Sequence, residues 1–284
     1  MKALCIYHRG CADGFGAAWA VHRALGDRVE FHPGVYGASP PDVTGRPVVL
    51  VDFSYNRPVM EGLCLAASSI LVLDHHRTAA DELDGLEQWV ISQGVAATVQ
   101  IDMDRSGAVL AWEHFHPGQP IPRLLQHVQD RDLWRFALPG TREILACVFS
   151  YPFVFDHWDA LANEIDRDPA AILVEGRAIE RKHHRDIAEL LATSTRPMII
   201  GGYRVPIANL PYTLASDAGN ALCVGNGFGP PPPFAGIYYD RHGGRVFSLR
   251  SSGDFDVSVI AQSYGGGGHK NAAGFTKPLG WEGD

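Results

Sequence analysis

The chain has 284 residues, of which 46% are hydrophobic and 20% charged, values that exclude wholesale disorder. At ~100–200 residues per domain the length predicts two domains. Twenty-four Lys and Arg against 32 Asp and Glu leave a net charge of −8, which argues against coating of long duplex nucleic acid but not against a small anion held by a few local cations.

In chain order, Ala3–Tyr7 reads as a strand, Phe15–Leu25 as a helix and Val48–Phe53 as a strand. A helix opened by Pro58 follows over Arg57–Ala67, then a strand over Ser69–Leu73. Strands alternating with helices at this spacing predict a doubly wound, mainly parallel α/β sheet, whose ligand crevice lies beyond the carboxyl ends of its strands. Thr98–Ile101 reads as a strand, Ser106–His116 as a helix capped by Ser106, and Ile121–Asp132 as a further helix. The charged stretch Pro169–Leu191 reads as a helical connector with a solvated face. From Arg196 onward the pattern restarts with strands Met198–Ile200 and Arg204–Ala208, a short helix near Ser216–Cys223 and a loop containing Pro230–Pro233. A hairpin around Gly243-Gly244 and a helix Val257–Tyr264 complete a smaller α/β domain. The expected boundaries are 1–155, a connector 156–195, and 196–284.

Apolar runs are far shorter than the ~20 residues of a membrane span. The polar start of the chain does not fit a signal peptide, so a cytoplasmic location is expected. Five scattered cysteines without a Cys-x-x-Cys pair predict reduced thiols rather than a disulfide framework or a zinc ribbon.

Acidic and imidazole groups recur where the crevice should be: His8, Cys11 and Asp13, then Asp52, then Asp74-His75-His76, then Asp130 with Asp132. Carboxylates converging on one crevice repel one another unless cations sit between them. Mixed Asp and His donors suit Mn²⁺, Zn²⁺ or Fe²⁺ better than Ca²⁺. Two such ions roughly 3.5–4 Å apart can clamp a phosphoryl group during in-line displacement, which predicts phosphoester or phosphoanhydride hydrolysis. In the second domain, Gly265-Gly266-Gly267-Gly268-His269 could form an anion-cradling nest, and Arg250 could pair with a phosphate. The Asp102-x-Asp104-x-Ser106-Gly107 run with Glu113 matches a calcium loop only formally, because a strand and not a helix precedes it.

The order His8-x-x-Cys11-x-Asp13-Gly14, Asp52 after an apolar strand, Asp74-His75-His76 and Asp130 resembles the DHH phosphoesterase superfamily. That superfamily includes RecJ-like exonucleases, short-oligonucleotide ribonucleases, cyclic-dinucleotide phosphodiesterases and family II inorganic pyrophosphatases. The stretch from Arg250 through Gly265–His269 to Ala273-Gly274-Phe275 is similar to the DHH-associated C-terminal domain.

The resemblance implies that His8 binds a first metal, that Asp13, His75 and Asp130 bind a second, and that Asp52 bridges both. Asp132 is the alternative to Asp130. His76 would lie near the scissile phosphate with Asp74 supporting it, and Arg250 with Gly266, Gly267, Gly268 and His269 would bind substrate in a cleft between the domains. The first motif usually offers two aspartates; here Cys11 replaces one, and a thiolate ligand favours Zn²⁺.

The expected protein is an enzyme with two divalent ions, Mn²⁺ foremost and Zn²⁺, Co²⁺ or Mg²⁺ as alternatives. It would cleave phosphodiester bonds of short oligonucleotides or (cyclic) dinucleotides through a metal-bridging hydroxide, with neither a long duplex nor a membrane as partner and with a homodimer left open. The alternatives are an exopolyphosphatase or pyrophosphatase-type hydrolase and a catalytically impaired nucleotide-binding protein.

Overall fold

A computed structural model describes residues 1–225 and 231–284. The expected loop Pro230–Pro233 therefore begins outside the described residues. The chain divides into two compact units, Met1–Glu180 and Arg181–Asp284.

The first unit contains β1 (Ala3–His8), α1 (Ala12–Leu25), β2 (Val29–Gly34), β3 (Pro47–Val51), α2 (Arg57–Ala66), β4 (Ser69–Asp74), α3 (Arg77–Glu82), α4 (Leu86–Ser92) and β5 (Ala96–Ile101). Helices α5 (Gly107–Phe115), α6 (Arg123–Asp132), α7 (Thr141–Ser150) and α8 (Phe155–Arg167) follow, and α9 (Ala170–Ser194) carries the chain across the division. The five strands are all parallel, in the order β2-β1-β3-β4-β5.

Strand periodicity of two sorts the side chains to two cores. Leu4, Ile6, Val48, Leu50, Ile70 and Val72 pack with α2 and α4 residues on one face, while Cys5, Val49, Val51 and Leu73 pack with α1, α5 and α6 on the other. Residues expected in the connector also join this second core, since Trp158, Leu161 and Ile165 of α8 are buried there.

The chain order reverses between β1 and β3, because β2 lies on the outer side of β1 and the later strands continue from β3. In such a sheet the carboxyl ends flanking the reversal splay apart and form the ligand crevice. His8 ends β1 and Asp52 follows β3, so both stand at this point.

The second unit contains β6 (Arg196–Ile200), β7 (Tyr203–Asn209), α10 (Ala215–Cys223), β8 (Phe234–Arg241), β9 (Gly244–Ser251), α11 (Val257–Ser263), β10 (Gly267–His269) and β11 (Ala272–Lys277). They form a sheet in the order β10-β11-β9-β8-β7-β6, antiparallel except between β7 and β8. One face buries Phe234, Phe247, Leu249 and Phe275 with Val257 and Ala261 of α11. The other buries Ala235 and Ile237 against α10 and the end of α9. Among the described residues no helix is long and apolar enough to cross a membrane.

Candidate metal centre

Cys11 occupies the N-cap of α1, where its Sγ accepts the Gly14 amide at 3.2 Å. This starts the helix at Ala12, one residue before Asp13, whose carboxylate is buried. That carboxylate accepts the Gly107 amide at 2.6 Å and the Ala108 amide at 3.0 Å, the first N–H groups of α5. The positive end of α5 thus faces a buried acid. Ser106 caps the same helix through Val109, as its sequence position predicts. Burial, then the charges of Asp52 and Asp132, nevertheless push the Asp13 carboxyl well above its usual range.

Asp52 has φ of 52°, a left-handed conformation uncommon outside glycine that persists where the surrounding structure over-determines the backbone. Its amide donates to the Leu73 carbonyl at 2.9 Å, which fixes the kink against β4. The carboxylate is 1% exposed and faces two ways. Oδ2 lies 3.4 Å from His8 Nδ1 and 3.3 Å from the Cys11 thiol, while Oδ1 lies 3.0 Å from His75 Nε2 and 3.9 Å from His76 Nδ1. Burial alone would raise this carboxyl, but hydrogen bonds to His75 and His8 and the charge of His76 hold it well below the usual range.

His75 also lies 3.4 Å from Asp13 and 3.5 Å from Asp132. Its imidazole is pushed up to about 10: burial opposes the shift, and the Asp52 hydrogen bond with the charges of Asp13 and Asp132 overcomes it. Asp74, at the end of β4, accepts the His75 and His76 amides and pairs with His76 Nδ1 at 2.7 Å. Against burial, that pairing holds His76 up at about 9. Asp74 Oδ2 is buried without a hydrogen-bond partner among the described residues.

Among the described residues of the first unit two sets of donors result, His8, Asp52 and His76, and Asp13, His75 and Asp132, each with ligand atoms within 4.8 Å of one another. Asp52 reaches both. Three carboxylates and three imidazoles converging in a largely buried pocket fit divalent cations, because the donor set is mixed oxygen and nitrogen and its mutual repulsion needs compensation. Cys11 sits beside the first set with its Sγ 3.3 Å from His8 Nδ1. Burial and the charges of Asp52 and Asp13 push the thiol well above its ordinary value, so in the ion-free protein it donates to Asp52 as a thiol.

Asp130 is not brought to this cluster. Its carboxylate accepts the Ala137 amide at 2.8 Å, the Leu138 amide at 3.0 Å and the Thr141 hydroxyl at 2.5 Å, and its carbonyl takes the Arg135 and Phe136 amides. It organises the turn after α6, in which Trp134 and Phe136 have φ of 54° and 48°. Asp132, two residues further and 28% exposed at its side chain, is the acid that reaches His75. Sequence reasoning also missed the Gly107 and Ala108 amides, although the cap at Ser106 marks where α5 must begin.

In the second unit the glycine run is not an open nest. The Gly265 and Gly266 amides close the end of α11 on the Gln262 and Ala261 carbonyls, and Gly267, Gly268 and His269 pair with β11. Arg250 on β9 donates to the Leu249 carbonyl and the Ser216 hydroxyl, both at 2.8 Å.

No family model matches the chain. It is 29% identical over 299 residues to an uncharacterized protein of Acanthamoeba polyphaga mimivirus, covering 95% of this chain and 66% of that protein. The chain thus spans just under two thirds of that relative's length. Among solved structures it resembles the DHH domain of a member of the s1p family of ribosomal proteins, with a TM-score of 0.62 at 14% identity over 96% of this chain and 82% of that one. It also resembles an exopolyphosphatase-related protein from Bacteroides fragilis, with a TM-score of 0.50 at 14% identity over 99% and 88% of the two chains. The fold is that of the DHH-domain proteins, a parallel α/β sheet followed by a smaller mixed-sheet unit.

Proposed function

We propose that this protein is a divalent-metal-dependent phosphohydrolase of the DHH type that cleaves phosphodiester bonds of short oligonucleotides or dinucleotides. One observation carries the reading: the Asp52 carboxylate has one oxygen near His8 and the other near His75, at the point where the parallel sheet reverses its order. In this reading His8 and Asp52 would hold one ion, and Asp13, His75 and Asp132, together with Asp52, would hold the other. Mn²⁺ is the proposed ion, with Zn²⁺, Co²⁺ or Mg²⁺ as alternatives.

Such ions supply Lewis-acid charge for phosphoryl oxygens and the means of ionising water near neutral pH. The chain supplies the rest. His76, kept protonated by Asp74, donates to the oxygen on which charge develops. The α5 amides orient Asp13, and the Cys11 thiol orients Asp52.

The test incubates purified protein with Mn²⁺ and either a dinucleotide or inorganic polyphosphate, and separates the products. Mononucleotides from the dinucleotide support the reading. Release of inorganic phosphate from polyphosphate with the dinucleotide intact replaces it with phosphoanhydride hydrolysis. Binding of the dinucleotide without turnover under any divalent ion identifies a nucleotide-binding protein instead.

A further inference from the structure

Beside the metal centre lies an aromatic surface that the proposed chemistry does not use. Strand β2 ends at Gly34, and the chain reverses through a tight turn in which the Ala38 amide donates to the Val35 carbonyl at 3.0 Å. Gly37 has φ of 81°, the left-handed position that such a turn requires at its third residue. Tyr36 therefore sits at the corner, and the residue remains 50% exposed.

The Tyr36 ring is not a loose surface aromatic. It lies 4.8 Å from Phe53, 5.2 Å edge-on from His8 and 6.3 Å from His76. Phe53 is fully buried, held edge-on by Tyr55 at 4.8 Å, and lies stacked 6.1 Å from the His8 ring. One side of Tyr36 is thus fixed by a rigid wall, and half of the residue is open to solvent next to two imidazoles of the centre. A large apolar ring left half exposed there would be covered by an apolar group of the ligand. A nucleobase lies one sugar away from its phosphate, the same scale as the separation of Tyr36 from His8 and His76. Inorganic polyphosphate has no π-face to offer.

We propose that Tyr36 is the face on which a nucleobase of the substrate packs, so that the centre prefers nucleotide phosphodiesters to inorganic polyphosphate. This rests on the phosphohydrolase reading above. Stacking is tolerant of base identity, so Tyr36 selects for a base next to the cleaved bond without selecting which base.

The experiment compares wild type with Tyr36→Phe, Tyr36→Leu and Tyr36→Ala, using a dinucleotide and inorganic tripolyphosphate as probes. KM and kcat are measured with Mn²⁺, and equilibrium binding of each probe by calorimetry on Ca²⁺-loaded protein. Tyr36→Ala and Tyr36→Leu are expected to raise the dinucleotide KM and Kd about tenfold, with kcat and the tripolyphosphate Kd within about twofold, while Tyr36→Phe stays close to wild type. An unchanged dinucleotide Kd in Tyr36→Ala overturns the proposal. An equal loss for tripolyphosphate, or a wild type that binds no dinucleotide, does the same. Tyr36-dependent dinucleotide binding without cleavage under any ion refutes the hydrolase reading and supports the stacking face; cleavage with a KM indifferent to Tyr36→Ala does the reverse.

Discussion

A Cβ placed on Gly107 would lie 2.5 Å from the Cβ of Asp52. The start of α5 and the kinked residue after β3 are therefore in backbone-level contact, and the same helix end supplies the amides that hold Asp13. Both central acids of the candidate centre take their position from one helix terminus.

Gly107→Ala is expected to move Asp52 or the end of α5 and to destabilise the ion-free protein by about 1–3 kcal/mol, the usual range for overpacking a core. The extra stabilisation gained on adding Mn²⁺ should fall as well. Thermal unfolding with and without the ion checks both. An unaltered increment from Mn²⁺ would show that the contact does not set the donor geometry.

Asp130 and Asp132 should separate cleanly. Asp130→Ala leaves the Ala137 and Leu138 amides and the Thr141 hydroxyl without their acceptor, an expected stability loss of about 1–3 kcal/mol. Asp132→Asn removes a charge that raises Asp13; it should leave the ion-free protein at least as stable while weakening metal binding. Denaturant titration paired with metal calorimetry distinguishes the two. Equal losses of metal affinity would return Asp130 to the centre.

How far the sequence reaches is clearest at this pair. His8, Asp52 and Asp74-His75-His76 end apolar strands, so their convergence follows from parallel pairing and needs no side-chain detail. Asp130 and Asp132 lie on one helix two positions apart, nearly opposite in direction, and only the turn that follows decides which faces inward. Nothing in local propensity foretells that Trp134 and Phe136 adopt left-handed backbone; the Asp130 carboxylate and Thr141 impose it. The glycine run misleads for a related reason, because its amides close α11 and pair with β11, partners that composition does not reveal.

Folded His75 and His76 hold their protons up to about 10 and about 9, against about 6.5 in the unfolded chain. Their contribution to stability is complete below about pH 6.5 and is lost as pH rises through the folded values. In EDTA, the thermal midpoint is expected to fall between pH 6.5 and pH 10. Because metal ligation requires neutral imidazole, binding of Mn²⁺ at pH 7.5 should release protons, seen as a dependence of the binding heat on buffer ionisation enthalpy. A heat independent of buffer would remove His75 from the ligand set.

Cys11→Asp places a carboxylate where a thiol now donates to Asp52. The ion-free protein should lose stability from the added repulsion, and its preference should shift from Zn²⁺ toward Mn²⁺ as the donor hardens. Competition binding of the two ions, with Cys11→Ala as the control for bulk, checks the shift. An unchanged ratio in both variants would assign the thiol to hydrogen bonding alone.

The amides of α5 already neutralise part of the buried acidity before any ion arrives. Under the proposed metal centre, folding and cation uptake would then be separate events, unlike small zinc modules in which the metal is the core. A freshly made chain could reach its final shape under metal starvation and be loaded afterwards, so its occupancy would track the supply of ions in its surroundings.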